Sequence, residues 1–123
     1  MVCPLTGSKH CDCTLSEALR KLFTEHAVYT MWFIVASIEQ TENSKLIATR
    51  LMKNQQDIGN YLKPMIGLQN ASTLIKLLKD HISAAANTVI QLLTGSNKEL
   101  KQAVEEQFEN SDLVAEFLSS LNR

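Results

Sequence analysis

The sequence contains little glycine, proline or aromatic residue and almost no net charge. Its 123 residues include 4 Gly and 2 Pro, and aromatic residues make up 6%. So few turn-forming residues argue against a β-sandwich, which needs a turn after every short strand. The 12 Lys and Arg residues nearly balance the 13 Asp and Glu residues. We therefore expect no nucleic-acid partner, because proteins that bind the phosphate backbone carry a basic surface.

Long apolar runs are also lacking. The most apolar segment, Ala27 to Ile38, has no formal charge but spans only twelve residues, and a membrane-spanning helix needs about 20. The first residues do not combine a charged start with an apolar stretch, as a signal peptide does. We expect no membrane partner and a cytoplasmic or other intracellular location, or a virion if the protein is virus-encoded. In a reducing setting the three cysteines are expected to be thiols or metal ligands.

What the sequence does contain is apolar residues at helical spacing. Thr14-Leu15-Ser16-Glu17 and Ser96-Asn97-Lys98-Glu99 are capping boxes, in which a hydroxyl and a carboxylate satisfy free backbone N–H groups. They predict the starts of a first and a fourth helix. The first helix is expected to end near residues 38–40, and a second to follow a cap at Thr41 or Asn43.

Breaks later in the chain predict where the other helices begin and end. Pro64 is expected to kink or end the second helix, and Gly67 to stop it. Asn70 or Ser72 is the expected cap of a third helix, and Ser111 that of a short fifth one. Because short connections favour antiparallel neighbours, we predict an all-α fold: an antiparallel up-down four-helix bundle with a short fifth C-terminal helix.

The chain divides into an arm and a domain. Residues 1–13 carry all three cysteines and lack helical spacing, so we interpret them as a cysteine-rich N-terminal arm before a bundle domain at 14–123. Thiolates and imidazole are the ligands that zinc prefers, and the arm holds four of them, Cys3, His10, Cys11 and Cys13. The two-residue gap usual between zinc cysteines is missing, so free thiols are the alternative interpretation.

Two histidines fall on the inward stripes of the first and third helices. His26 lies 11 residues after Leu15, and His81 lies 10 residues after Ala71. At a rise of 1.5 Å per residue, both are expected at about 15 Å from the same end of the bundle. On the second helix, residues 54–57 reach that level.

The polar residues at this level can be interpreted in two ways. The first is a metal or proton-handling site formed by His26, Asp57 and His81, with Glu25 and Asn54 as nearby polar partners. Imidazoles and a carboxylate suit zinc, iron or manganese, and bundles build such sites from facing helices. The second is a hydrogen-bonded core pair that needs no cofactor. The motifs Glu-x-x-His and His-Glu-x-x-His, which would support the first, are absent.

Motifs for covalent or nucleotide chemistry are missing as well. The sequence has no Gly-x-Ser-x-Gly elbow, no phosphate-binding glycine loop and no dinucleotide fingerprint. We therefore expect no catalytic residues and favour a protein that is not an enzyme.

Several stretches together resemble a small family of all-helical proteins without an assigned activity. Members occur in bacteria, with relatives expected in large DNA viruses, and some carry glycosyltransferase or acetylglutamate kinase names. Those names do not fit a chain without a phosphate loop or the size of such a catalytic domain. The resemblance covers about residues 15–122, and its main pieces are Glu25-His26, Arg50-Leu51, Asn54-Gln55-Gln56-Asp57-Ile58-Gly59-Asn60, Lys63-Pro64, Leu77-Leu78-Lys79-Asp80-His81-Ile82 and Phe117-Leu118-Ser119-Ser120.

The resemblance implies a shared pattern of polar residues. It comprises Glu25, His26, Arg50, Asn54, Asp57 and His81. The chain departs from the family at Tyr29-Thr30-Met31, where a tryptophan and a basic residue are expected, and at Met65, where an aromatic is expected. Any chemistry that used the missing basic residue would be lost here.

The leading functional hypothesis is a non-enzymatic helical bundle that self-associates or joins a protein partner in a larger assembly. It is motivated by a first helix that is apolar nearly all round. The first alternative is the metal or proton-handling layer. The second is a small-molecule pocket lined by Tyr29, Met31 and Trp32.

Overall fold

A computed structural model describes residues 14–122 and shows four helices with no strand in that range. The helices are α1 (Leu15–Ile38), α2 (Ser44–Ile66), α3 (Leu68–Thr94) and α4 (Asn97–Leu121). None of them is long and apolar enough to cross a membrane. The expected cysteine-rich arm lies outside the described residues.

Both predicted capping boxes are present. At the start of α1, the Glu17 amide donates to Thr14 Oγ1 at 3.2 Å, and the Thr14 amide donates to Glu17 Oε2 at 2.8 Å. Ser96 and Glu99 make the same pair of bonds at the start of α4, at 3.3 and 2.8 Å. In both pairs these hydrogen bonds hold the pKa of the glutamate below its usual value.

The predicted short fifth helix does not form, because α4 continues through Ser111 to Leu121. Ser111 Oγ donates to the carbonyl oxygen of Gln107 at 2.9 Å, one turn earlier. A serine that bonds backward in this way lies inside a helix rather than at its N-cap. The last apolar residues therefore belong to α4, and Val114 and Phe117 pack against the core.

The boundary between α2 and α3 is sharper than the sequence predicts. Pro64 lies inside α2, which ends two residues later at Ile66. Gly67 has a φ of 85°, a conformation that favours glycine, and separates the two helices by a single residue. As a result α3 begins at Leu68, ahead of the expected caps at Asn70 and Ser72. Asn70 instead donates to the carbonyl oxygen of Ile66 at 2.9 Å.

The helices run antiparallel in chain order. α1 packs against α2 and to a lesser extent α3, and α4 packs mainly against α3. The main core lies near the end where α1 begins and where α2 meets α3. Its buried members are Ala18, Leu22, Ile58, Tyr61, Leu74 and Leu78. The opposite half contains fewer buried apolar residues and leaves much of α1 exposed.

Candidate functional site

The structure brings His26 of α1 and His81 of α3 together, as the count along the two helices predicts. Their ring centroids lie 6.4 Å apart and their planes differ by 24°. Phe23 contacts the other side of His26 edge-on, with centroids 6.2 Å apart. The two imidazoles are the centre of a polar layer that extends to all four helices.

Two buried amides on α2 hold His26. Asn54 and Gln55 are both 0% exposed. Asn54 Nδ2 donates across to the carbonyl oxygen of Leu22 at 3.0 Å, which ties α2 to α1. Gln55 Nε2 donates to the carbonyl oxygen of Leu51 and to Asn54 Oδ1, and it lies 3.1 Å from His26 Nδ1.

These contacts determine which atoms of Gln55 and His26 donate hydrogen bonds and which accept them. The Leu51 carbonyl and Asn54 Oδ1 only accept, so the nitrogen of the Gln55 amide must face them. His26 Nδ1 faces the same nitrogen and can only accept, sharing one of the two amide hydrogens, so the neutral ring carries its proton on Nε2. Gln55 Oε1 points elsewhere; it is buried and has no hydrogen-bond partner among the described residues.

Asn110 extends the layer to α4. Its Nδ2 donates to the carbonyl oxygen of Leu77 at 3.3 Å, so its Oδ1 faces His81 Nδ1 at 2.9 Å and accepts from it. The neutral His81 ring therefore carries its proton on Nδ1, the opposite arrangement to His26. The hydrogen bonds of the layer join α3 to α4 as well as α1 to α2.

The environment of His26 favours its uncharged form. Burial lowers the pKa of His26 below its ordinary value of 6.5, and the nearby His81 lowers it further. The hydrogen-bond partners of both rings are amides, so no carboxylate offsets a positive charge by direct contact.

The two predicted acidic members lie away from the imidazoles. Asp57 accepts from Lys53 at 2.9 Å, and its other oxygen lies 3.9 Å from Arg50 Nη1. Glu25 accepts from Lys21 at 2.7 Å and from Arg50 at 3.4 Å. Residues 14–122 contain no group of three His, Cys, Asp or Glu side chains arranged to hold a metal ion. The structure thus joins His26, His81 and Asn54 but not Asp57 or Glu25.

Helix geometry explains why Asp57 is absent from the layer. Successive residues of a helix are rotated by about 100°, so residues two apart point in nearly opposite directions. Because Gln55 points inward, Asp57 points toward the edge of α2 that carries Arg50. The Arg50 guanidinium lies 4.8 Å from the centre of the Tyr29 ring, so these charges link α2 to the edge of α1. The predicted zinc ligands Cys3, His10, Cys11 and Cys13 lie outside the described residues.

Sequence reasoning missed the two amides that contact the rings. For Gln55 a signal was present, because Leu51, Gln55 and Ile58 follow the 4,3 spacing of an inward stripe. Asn110 looks like a surface residue in the sequence, between Glu109 and Ser111. Only its burial against Leu77 and His81 identifies it.

A second feature is a largely exposed apolar face on α1, on which Ile34 is partly buried. We call it the outer face of α1 and define it as Ala27, Met31, Ile34 and Ile38, with Val35 beside them. Met31 is 56% and Ile38 is 48% exposed, whereas Ala36 on the opposite side is buried. Trp32, at the edge toward α2, is 51% exposed and touches Tyr29 edge-on. The predicted pocket residues Met31 and Trp32 thus lie on the surface.

Neither the polar layer nor the outer face can be compared with a known protein. No family model, no curated protein and no solved structure matches the chain. The function is therefore argued from the geometry of the polar layer and the outer face.

Proposed function

We propose that the protein is a non-enzymatic assembly component that binds another protein surface through the outer face of α1. The observation that supports this proposal is the exposure of Met31, Val35 and Ile38 on one side of a helix whose other side contributes Ala36 to the interior. An uncovered helix face of a monomeric protein is normally polar. A contiguous apolar face of this kind is typical of an interaction site.

The absence of charge on this face supports a role in protein binding rather than mere contact with solvent. The segment from Ala27 to Ile38 contains no formally charged residue, although one residue in five of the whole chain is charged. Interface centres are depleted of charge and enriched in aromatic residues and methionine. Met31 and Trp32 provide those residue types at the middle of the exposed segment.

The polar layer supports the proposal as a scaffold. Asn54 and Gln55 hold α1 through the Leu22 carbonyl and His26, which lie five residues and one residue before the outer face begins. Arg50 holds the neighbouring part of α1 through Glu25 and Tyr29. Directional bonds of this kind fix the rotation of a helix more strictly than apolar contacts do. They keep one side of α1 inward and leave the outer face available.

The proposal is tested by the size of the complex that contains the protein. The tagged full chain is sedimented in an extract of its native cells, beside a Met31→Glu variant. We expect the unmodified chain to sediment well above its 13.8 kDa mass and the variant to sediment as a monomer. A glutamate buried without a partner costs several kcal/mol, enough to weaken binding by more than a hundredfold.

Phe108→Glu is the matched control. Phe108 is 69% exposed on α4, which packs mainly against α3, so the substitution makes the same chemical change at an apolar surface position on another helix. We expect it to leave the complex unchanged. Sedimentation of the unmodified chain as a monomer, or equal behaviour of the two variants, would contradict the proposal.

A further inference from the structure

We infer that the surface covering the outer face of α1 is the same face of a second copy, with the two α1 helices antiparallel across a two-fold axis. This inference rests on the proposed function and adds the identity and orientation of the partner. In a two-fold pair every residue of the patch meets another residue of the same patch. The patch must therefore be complementary to itself in spacing, in area and in charge.

The spacing meets this requirement. Ala27, Met31, Ile34 and Ile38 are separated by 4, 3 and 4 residues, the interval at which two helices pack along a continuous seam. The order 4, 3, 4 is unchanged when it is read backward. In an antiparallel pair Ala27 therefore lies opposite Ile38 of the second copy, and Met31 opposite its Ile34. The small Ala27 leaves room for the larger Ile38.

The available area fits a reversible dimer. The exposed parts of Phe23, Met31, Val35 and Ile38 amount to about 100 Å² each, and Ala27 and Ile34 add less, so the patch offers roughly 450 Å² per copy, against about 800 Å² per partner in a standard interface. A total of roughly 900 Å² exceeds most incidental contacts but falls below obligate dimers. The dimer is thus expected to depend on concentration.

Charge determines the orientation. The seam itself is uncharged, so two identical seams can meet without burying a charge. Exposed Arg20 lies about two turns before the seam, and exposed Glu39 and Glu42 lie just beyond its other end, with exposed Glu17 and Lys45 farther out at the same two ends. Antiparallel helices bring Arg20 of one copy to the end that carries Glu39 and Glu42 of the other. Parallel helices would instead place like charges at both ends, and their dipoles would also repel.

The orientation is tested with charges placed at the two ends of the seam. Purified full-length Ala27→Lys, Ile38→Glu and the double variant are compared with the unmodified chain by sedimentation equilibrium. Each single variant places an unpaired charge against an apolar side chain, and we expect the dimer dissociation constant to rise at least tenfold. In the double variant each lysine faces a glutamate of the other copy, so most of the lost affinity should return. Phe108→Glu is again the control and should leave the constant unchanged.

The other outcomes separate this inference from the proposed function. A double variant weaker than both single variants would show like charges meeting, which overturns the antiparallel orientation. A purified chain that stays monomeric at every concentration overturns the second copy as partner. If Met31→Glu nevertheless removes the chain from a complex in extract, the proposed function stands with a different partner. Should a variant fail to fold by circular dichroism, sedimentation of the unmodified chain still decides whether a dimer exists.

Discussion

Gly59 lies on the buried side of α2 at a point where a side chain has no room. A Cβ atom added there would lie 2.6 Å from Ile75 Cδ1, even closer to Ile75 Cγ1, and 3.3 Å from the Ala71 carbonyl oxygen. Gly59→Ala would gain about 1 kcal/mol in helix propensity. Overfilling a packed interior costs about 1–3 kcal/mol, so we expect a lower free energy of unfolding in urea, by up to about 2 kcal/mol.

The Ile75→Ala background distinguishes this steric effect from any other effect of the substitution. Removing Cγ1 and Cδ1 of Ile75 takes away the two closest atoms. In that background Gly59→Ala should become neutral or stabilising, which gives a strongly non-additive double-mutant cycle. Equal costs in both backgrounds would show that the contact with Ile75 is not the cause.

Single residues also show where sequence reasoning succeeds and where it stops. The meeting of His26 and His81 could be predicted, because the rise of a helix is fixed and both residues lie on inward stripes. Their partners could not be predicted so simply. Asp57 seemed suited by chemistry but points to Arg50, while Gln55 points inward. Which of several neighbouring polar residues is buried depends on the rotation of α2, which the whole interior sets.

The ends of the helices can likewise be predicted where local hydrogen bonds determine them, but not where tertiary packing does. Both capping boxes were predictable, because Thr14 with Glu17 and Ser96 with Glu99 satisfy their own backbone without help from the rest of the fold. Ser111 has the residue type of a cap, yet its hydroxyl bonds back to Gln107 and the helix continues. Val114 and Phe117 pack against the core only because α4 stays straight past this point. A cap residue without its acidic partner is therefore a weak predictor of a helix start.

Ser96→Ala tests the contribution of a capping box to α4. The alanine cannot accept from the Glu99 amide and leaves that N–H without its partner. We expect a loss of about 1 kcal/mol in the free energy of unfolding, the usual cost of removing an N-cap side chain. The pKa of Glu99 should also rise, but only part of the way toward 4.5, because the Ser96 amide, which alanine keeps, lowers it more than the side-chain hydrogen bond that is lost. Urea unfolding and a carboxyl NMR titration measure the two effects.

Ser120→Ala is the control for the cap. Ser120 is exposed near the other end of the same helix and donates only to the Phe117 carbonyl oxygen. Its replacement should change neither the stability nor the titration of Glu99. If Ser96→Ala were equally silent, the capping box would contribute nothing to the stability of α4.

The whole molecule combines a hydrogen-bonded polar layer with a half in which many apolar residues are exposed. The layer joins α1 to α2 through Asn54 and α3 to α4 through Asn110, and the stacked rings of His26 and His81 bridge the two pairs. Few apolar residues are buried in the half of the molecule beyond it, where α1 exposes Met31, Trp32, Val35 and Ile38. The bundle was predictable from four periodic segments, but the uncovered side was not, because a sequence pattern does not show which neighbours a helix lacks.

Because folding favours the uncharged form of His26, the stability of the whole bundle should depend on pH. The pKa of His26 is lowered by folding, so below its ordinary value of 6.5 the unfolded chain binds more protons than the folded one. The stabilisation is complete above that pH and is lost as the pH falls toward the lowered folded value. Protonated Nδ1 would also face the Gln55 amide nitrogen, placing two donors together. Turning the amide would break its bonds to Leu51 and Asn54.

We therefore expect the free energy of unfolding to be flat well above pH 6.5 and to fall over the first pH unit below 6.5, by at most about 1.4 kcal/mol per pH unit for one proton. This window lies above the ordinary carboxyl value of 4.5, so the two capping glutamates do not contribute to it. His26→Gln removes the titrating group and should flatten the slope. Thr24→Gln, an exposed neighbour on α1, should leave the slope unchanged. Urea unfolding at a series of pH values measures all three proteins, and an unchanged slope in His26→Gln would assign the pH dependence to another group.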